Sequence, residues 1–560
     1  MKKQFLLFIL IITPTLANAQ APSLLWAKRL GGDNYDVVYA ITLDAEGGVY
    51  TTGEFRGTSD FDPNQGVFNL VTADLSFHDI FISKLDASGN FVWAKQLIAS
   101  GVGHSVTTDA FGSVYTAGGF MGTGDFDPNV GAYNLTAAGR DIFISKLDAS
   151  GNFLWAKNMG GPGTDIVNSI AVDLAGNVYI TGQFQGTADF DPNAGVFNLT
   201  SASGDDTFIS KLDVSGNFVW AKSIVGGGGN DECRSIALDK AANIYVAGYF
   251  SGTADFDPNG GIYNLSAAGG AIGFVLKLDS SGNFIWAKNW GGDVNNISID
   301  KWNNVYSTGN FGGTVDFDPN AGVYNLTGAN SDIFISKIDS LGNFVWAVGM
   351  LGGPQTQNGG ASIANDTLGN VYTTGSFIDT VDFDPGPGVY NLITTPAGGA
   401  GGGFVSKLDA LGNFAWAKLV DGAIGVDVSI KLDQSGNIYT TGIFYDTVDF
   451  DPNAAIYNLF SAGDDDIFVQ KLSPFGVGIS EQTNPNINNI YPNPSNGLYT
   501  IELEAKLEIT ITNMLGEVIL NKVMQAGKQP INLQHQANGI YFVKLVSEGK
   551  QELLKLVKEE

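Results

Sequence analysis

Short apolar runs separated by turns rich in Gly, Asn and Asp recur along most of the chain. One repeat contains four such runs, at 165–173, 178–184, 207–213 and 218–222. β-Branched and aromatic residues dominate each run, which predicts strands, and we name them A, B, C and D in chain order. An Asp-x-x-Gly-Asn segment joins A to B and C to D. It predicts a tight turn in which Gly and Asn supply the positive φ angles and Asp caps the backbone.

The four-strand unit repeats every 61 to 67 residues, and each copy carries Asp-Phe-Asp-Pro between strands B and C. A fixed period of this length indicates a repeat architecture. Four short antiparallel strands per repeat are typical of a β-propeller blade, and a solenoid is the competing interpretation.

The two ends of the repeat region favour a closed ring. The chain enters on Leu24-Leu-Trp-Ala-Lys, a lone D strand, and leaves after 466–472, a C strand that no Trp-Ala-Lys follows. Seven Trp-Ala strands match the seven Asp-Phe-Asp-Pro copies, and they contain Trp26, Trp93, Trp155, Trp220, Trp286, Trp346 and Trp416. A ring benefits from this permutation, because the first strand covers the unpaired edge of the last unit. We therefore predict an all-β protein with a seven-bladed β-propeller at residues 22–473, closed by its N-terminal strand.

Antiparallel topology assigns the connections to two faces. The A–B and C–D turns share one face, and the B–C and D–A connections share the other, which we call the long-loop face. Since variable loops usually carry binding sites, we predict a glycan or protein ligand on the long-loop face. The Asp-Phe-Asp-Pro copies would place about fourteen carboxylates on that face.

The Asp-Phe-Asp-Pro segment has two interpretations. Asp60, Asp62 and Asn64 alternate as the first three ligands of a calcium loop do, and calcium is the one cofactor that the sequence indicates. The candidate cation ligands are Asp60, Asp62, Asp125, Asp127, Asp189, Asp191, Asp255, Asp257, Asp316, Asp318, Asp382, Asp384, Asp449 and Asp451. The same residues also suit a hairpin in which Pro fixes φ, Asp caps the turn and Phe61 packs inward.

A lysine recurs in every C strand, and we expect it to form an exposed ion pair with a turn aspartate. These residues are Lys84, Lys146, Lys211, Lys277, Lys337, Lys407 and Lys471. The D-strand tryptophans are expected to pack within the blades.

No catalytic residue is assigned. The three histidines, His78, His104 and His535, do not recur and have neither triad nor metal spacing. A binding or scaffold module for a glycan, protein or cation is therefore the favoured function. An extracellular carbohydrate-active hydrolase or lyase is the alternative. It would require one unit with an asymmetric acidic and aromatic pocket, and the sequence reveals no such unit.

The net charge of −28 lies almost entirely in the repeat region, which argues against nucleic acid and anionic membranes as partners. A single cysteine, Cys233, excludes an internal disulfide and is expected to be a buried apolar residue.

Residues 1–19 have the pattern of a signal peptide, with Lys2 and Lys3, an apolar run at 5–12 and Ala17-Asn-Ala19. No other segment approaches the ~20 apolar residues of a membrane helix, so no transmembrane segment is expected in the mature chain. A polar linker at 474–489 precedes a small β-sandwich at 490–560.

The repeat, with Gly-Asn-Val-Tyr-x-Thr-Gly, Lys-Leu-Asp-x-x-Gly-Asn and Trp-Ala-Lys, resembles the SBBP-type bacterial β-propeller repeat, which implies a fold but no chemistry. The tail resembles the type A C-terminal sorting domain of the Bacteroidetes type IX secretion system. The matching residues are Tyr491, Pro492, Asn493, Pro494, Gly539, Tyr541, Lys555 and Lys558. This resemblance implies type IX machinery as a partner and export through the periplasm to the cell surface or medium.

Overall fold

The computed structural model describes residues 21–560 except 73, 227–228, 230, 354–357, 395–400, 421–428, 454, 475–486, 492–494, 504–505, 514–516, 548–549 and 559–560. The chain forms two compact units, Met1–Phe475 and Gly476–Glu560, which we call the repeat body and the tail domain. The predicted signal peptide lies outside the described residues. Within the described part of the chain, no helix is long and apolar enough to span a bilayer.

The repeat body contains seven units of four strands. The A strands are Asp36–Leu43, the second half of Phe91–Thr108, Ile166–Val172, Glu232–Leu238, Asp293–Ile299, Gly359–Asn365 and Ser429–Leu432. The B strands are Val49–Phe55, Val114–Asp125, Val178–Asp189, Ile244–Asp255, Val305–Asp316, Val371–Phe377 and Ile438–Phe444. The C strands are Asp79–Leu85, Asn134–Leu147, Asn198–Leu212, Asn264–Leu278, Asn325–Ile338, Gly402–Leu408 and Asp466–Ser473. The D strands are the first half of Phe91–Thr108, Phe153–Met159, Phe218–Gly226, Phe284–Trp290, Phe344–Gly352, Phe414–Val420 and Ser23–Gly32.

Each unit is an antiparallel sheet in the order A, B, C, D, and each Asp-x-x-Gly-Asn segment is a tight turn. In the first A–B turn, Gly47 has φ of 83°, and Asp44 Oδ1 accepts the Gly48 amide at 2.7 Å. In the described turns the positive φ belongs to the fourth residue, which is Gly in most units and Asn303, with φ of 65°, in the fifth A–B turn. The side chain of the final Asn donates to the capping aspartate, as from Asn90 Nδ2 to Asp86 Oδ2 at 2.9 Å.

The N-terminal strand completes the seventh unit. Ser23–Gly32 pairs antiparallel with Asp466–Ser473 and supplies the D strand that this unit lacks. The first and seventh units also meet through a backbone bond from Asp36 N to Asp465 O at 3.0 Å. The same bond joins later neighbours, as from Asp165 N to Arg140 O at 2.7 Å. The first and seventh units are thus joined by a backbone bond of the same kind as the second and third.

The hydrophobic core lies between neighbouring units. Tyr115 of the second unit is fully buried in a cluster whose other members come largely from the third, among them Val167, Phe184 and Phe190. D-strand tryptophans pack edge-on against B-strand tyrosines, as Trp93 does against Tyr50 at 5.9 Å between ring centroids. A unit therefore buries its apolar face only against its neighbour, as expected for a repeat protein.

The tail domain consists of two antiparallel sheets that share one core. One sheet contains Ile487–Tyr491, Leu498–Leu503 and Gly527–Asn532. The other contains Val518–Met524, Leu507–Asn513, Gly539–Ser547 and Lys550–Lys558. Ile501 and Ile531 of the first sheet and Ile511 and Val543 of the second are buried in the same cluster. The tail domain is therefore a pair of packed antiparallel sheets.

Candidate functional site

The Asp-Phe-Asp-Pro segments fold back along the outside of the units. In the first copy, Thr58–Asp60 and Asn69–Val71 form a hairpin, and Asp60 pairs with Gly31 of the preceding D strand. The hairpin runs antiparallel to that strand, so it returns toward the C–D turns. There Phe68 stacks on Phe91, with ring centroids 4.8 Å apart. In the fourth copy, Asn259 Nδ2 donates to the carbonyl of Gly282 in the C–D turn at 3.2 Å.

The placement of these segments on the long-loop face is therefore wrong. The B–C connection does leave strand B on that face, but its tip ends beside the short turns of the opposite face. The return covers the outer D strand, whose edge would otherwise expose unpaired backbone groups. The strand order alone could not predict this path, because it specifies only the faces on which the B–C connection starts and ends.

Two carboxylates cap each hairpin. Asp60 Oδ1 accepts the amides of Asp62 and Phe68 at 3.0 and 2.8 Å, and Asp62 Oδ1 accepts the amide of Asn64 at 3.0 Å. Phe61 is fully buried, as the hairpin interpretation predicts. The described residues contain no cluster of three His, Cys, Asp or Glu side chains arranged to hold a metal ion. Calcium binding by these loops stays a prediction.

The recurring C-strand lysines are mostly half-buried rather than exposed. In all seven units, the lysine Nζ lies 4.6 to 4.9 Å from the ring centre of the B-strand tyrosine. Ion pairs with a turn aspartate are present for Lys84, Lys146 and Lys471, at 3.3, 3.7 and 4.0 Å. These positions therefore build the interior of each unit, where the cation–π contact is present in all seven units and the ion pair in three of them.

A central cavity of about 530 Å³ is lined by the A strands of all seven units. Six of these strands have a register shift at one residue, which marks a β-bulge. A bulge re-aims its side chain. The bulge residues all line the cavity, and they are Tyr39, His104, Asn168, Arg234, Asn295 and Ala361. Five residue types occupy these six positions, whereas the position after the bulge is serine in four of the six strands.

Polar side chains form a continuous chain of contacts along one wall of the central cavity. Asn168 Nδ2 donates to Glu232 Oε1 at 3.1 Å, and Glu232 Oε2 lies 3.3 Å from Arg234 Nη2. Arg234 Nη1 donates to Asn295 Oδ1, and Asn295 Nδ2 donates to the Gly360 carbonyl at 3.0 Å. Four successive units are thus linked by polar groups, most of which line the cavity.

Two further titratable groups face the central cavity. Burial and the nearby charge of Arg140 lower the pKa of His104 to about 4, so the ring is neutral at physiological pH. Lys431 is accessible from inside the cavity, but the surrounding protein limits its hydration and lowers its pKa. Lys431 forms no ion pair with a described residue. The sequence signal for this site was variation at one position of an otherwise repeated strand.

The predicted sorting residues separate into two groups. The Tyr541 hydroxyl donates to Ala537 O at 2.6 Å, and Lys558 Nζ donates to Asn538 Oδ1 at 2.8 Å, so both hold the loop before Gly539. Tyr491 ends a strand of the other sheet and is exposed. Residues 492–494 and the side chain of Lys555 lie outside the described part of the tail.

Comparison with protein families matches residues 154–183 and 219–252 to the SBBP β-propeller repeat, and residues 489–559 to the secretion system C-terminal sorting domain. The chain carries SBBP β-propeller repeats and a type IX sorting domain. The first SBBP match covers strands D, A and B across two units. The sorting domain indicates export to the cell surface or medium and implies interaction with the type IX secretion machinery.

Relatives of the SBBP repeat region are distant. An uncharacterized WD repeat-containing protein of Acanthamoeba polyphaga mimivirus is 25% identical over 63% of this chain and 31% of its own length. The regulatory protein FlaEY of Caulobacter vibrioides is 28% identical over 42% of this chain and 26% of its own length. The chain thus spans about a third or less of these curated relatives.

Among solved structures, a protein of unknown function from Bacteroides caccae is 11% identical, with a TM-score of 0.31 over 60% of this chain and 89% of that chain. PorZ, a surface component of the type IX secretion system of Porphyromonas gingivalis, is 10% identical, with a TM-score of 0.24 over 95% of this chain and all of PorZ.

Proposed function

We propose that this protein is a closed seven-bladed propeller that binds a small polar ligand in its central cavity at the cell surface or in the medium. The observation that carries the proposal is the cavity itself, to which every unit contributes an A strand. Its variable bulge residues provide the asymmetry that recognition requires, while the repeated residues provide a rigid scaffold.

A hydroxyl-rich ligand such as a saccharide suits this cavity. Asn168, Asn295 and Glu232 provide both donors and acceptors, and the ligand would compete for bonds that now link the wall residues. Lys431 adds a cation that no described residue neutralises, which favours a ligand group rich in acceptor oxygens.

A glycan array with the mature chain, followed by calorimetry, tests the binding proposal. We expect Lys431→Met to weaken ligand binding about tenfold, because a charge-assisted hydrogen bond is lost. Lys301→Met removes an equal charge from an exposed turn and is the matched control. Uniformly blank arrays, or equal losses in both variants, would count against the cavity as the binding site.

Ring closure has its own test. Deletion of residues 20–33 removes the Ser23–Gly32 strand and exposes the edge of Asp466–Ser473. Cooperative unfolding should be lost and then restored by a synthetic peptide of residues 21–33 added in trans. If the deletion variant unfolds as cooperatively as the parent, the N-terminal strand does not close the ring.

The alternative function, a hydrolase or lyase, is tested with the same glycans. Incubation with any glycan that binds, followed by chromatography of the products, distinguishes an enzyme from a binding module. Intact glycan after prolonged incubation is the outcome expected of a binding module.

A further inference from the structure

The first two units carry cation-forming side chains at a position where the other units do not. This position immediately precedes the core of strand C and faces the long-loop side of the repeat body. Its occupants in the seven units are His78, Arg140, Asp205, Ala271, Ser331, Gly401 and Asp465. In a chain with a net charge of −28, a local basic pair is an exception that indicates a function.

His78 and Arg140 line one pocket of about 250 Å³, together with Glu54, Phe77, Ser100 and Met121. We call it the unit 1–2 pocket. Glu54 is also an exception to the repeat, since the equivalent residues are Gly119, Gln183, Tyr249, Asn310, Ser376 and Ile443. Glu54 and Phe77 belong to the first unit, and the rest of the lining includes residues of the second, so no single unit contains the pocket. The lining comes from five separate segments that only the tertiary structure brings together.

Arg140 is the one charged group of the unit 1–2 pocket that has no ion-pair partner among the described residues. Glu54 Oε2 lies 2.7 Å from His78 Nδ1, and Glu54 Oε1 accepts the Tyr39 hydroxyl at 2.9 Å. Both carboxylate oxygens of Glu54 are thus engaged by neighbouring side chains. The guanidinium of Arg140 carries a permanent charge. It is therefore available to an anion from outside the protein.

Exposed apolar side chains line the same pocket as Arg140. Asp74 caps a tight turn by accepting the Ser76 amide at 2.8 Å, and the turn leaves the Phe77 side chain 51% exposed. Met121 belongs to the neighbouring second unit, and its side chain is 50% exposed. Phe77, Ser100 and Met121 also line a second groove of about 500 Å³, so the two spaces are adjacent. Exposed apolar side chains that surround a recess mark a binding surface.

We propose that the unit 1–2 pocket binds the acidic terminal sugar of an oligosaccharide, with the carboxylate on Arg140 and the apolar ring face on Phe77. The volume suits one pyranose ring, being smaller than the ~300–1,000 Å³ of sites for larger ligands. Ser76, Ser100 and the Glu54–His78 pair offer partners for the sugar hydroxyls. Asp74 and Asp79 line the adjoining groove, so the following sugars are neutral or face away from these carboxylates. The proposal is independent of the central cavity.

Calorimetry with trigalacturonate, its methyl ester and triglutamate tests the proposal on the full mature chain. We expect trigalacturonate to bind, and both esterification and Arg140→Gln to weaken that binding at least tenfold. Phe77→Ala should weaken binding of the acid and of the ester alike. Binding of the acid should also weaken with added salt.

Two matched variants complete the test. Arg56→Gln removes the same charge from an exposed site outside the pocket, and Phe111→Ala removes a phenyl group that is 87% exposed in an A–B turn. Neither should change binding. The proposal fails if trigalacturonate does not bind, if the ester binds as tightly as the acid, or if Arg140→Gln has no effect. Equal binding of triglutamate would assign the pocket to acidic peptides instead.

Discussion

Lys28 Nζ lies 3.1 Å from Asn64 Oδ1, which joins the N-terminal strand to the first Asp-Phe-Asp-Pro-Asn hairpin. Five further junctions contain the equivalent pair, at 2.7 to 3.4 Å. The one junction without it, between the fifth and sixth units, has lost both partners, because Val348 replaces the lysine and Gly386 replaces the asparagine. Because the lysine and the asparagine are absent together at this junction and present together at the other six, we infer that their contact is the reason for both residues.

Two substitutions can restore the missing lysine–asparagine pair between the fifth and sixth units. We expect Val348→Lys combined with Gly386→Asn to increase the free energy of unfolding by up to about 1 kcal/mol, the range of an exposed charged contact. Chemical denaturation of both single variants and the double variant gives the coupling energy. Additive effects of the two substitutions would mean that the side chains do not interact.

Ala242 is a site of backbone strain. It occupies the turn position that Gly fills in most units and has φ of 58°, where a Cβ atom is unfavourable. Ala242→Gly should increase the free energy of unfolding by about 1 kcal/mol. The matched control is Gly436→Ala, because Gly436 has φ of 79° and its added Cβ would meet only Pro474 at 3.6 Å. Denaturant titrations should show opposite signs for the two substitutions.

Asp36 makes stability fall as the pH rises from about 4 to about 7. Burial raises its pKa to about 7, even though the Ser59 hydroxyl and the Gly32 amide stabilise the charged form, and the charge of Asp466 adds to the rise. The folded state therefore retains a proton that the unfolded state releases near pH 4. The stabilisation is complete at low pH and is lost as the pH rises through about 7.

The measurement is Tm between about pH 6.5 and 8 for the native chain and for Asp36→Asn. The unfolded chain protonates His104 near pH 6.5 and the folded chain does not, but both proteins contain His104, so the difference between their two curves reports Asp36. The native chain should lose Tm as the pH rises, and Asp36→Asn should lose less. Asn358 occupies the equivalent position in the sixth unit, so the substitution suits the fold. Parallel curves for the two proteins would contradict the assignment.

Substitutions of the first aspartate of a hairpin distinguish a structural role of this residue from calcium binding. Asp60→Asn keeps an oxygen that can accept the Asp62 and Phe68 amides, and it should change the free energy of unfolding little. Asp60→Ala should cost about 1–3 kcal/mol, because it leaves two amides without their acceptor. If the role is structural, EDTA should not shift Tm. Bound calcium after dialysis together with an EDTA-dependent fall in Tm would instead establish the cation site.

Local sequence determined the strands, the tight turns and the strand that completes the seventh unit. These features depend on nearest neighbours along the chain, as Asp44 capping Gly48 illustrates, or on simple counting of strand types. The pairing of Ser23–Gly32 with Asp466–Ser473 follows from that count, because an unpaired sheet edge is unfavourable.

Only the tertiary structure determined the path of the Asp-Phe-Asp-Pro hairpins and which side chains face the two cavities. Gly31 opposite Asp60 directs the hairpin back across the neighbouring unit, and the two residues belong to different repeats. A β-bulge turns Arg234 into the central cavity, and a bulge is a property of two paired strands rather than of one. His78 and Arg140 stand far apart in sequence and meet because consecutive units place equivalent positions side by side. Sequence therefore specified each unit, whereas the contacts between units formed the candidate binding sites.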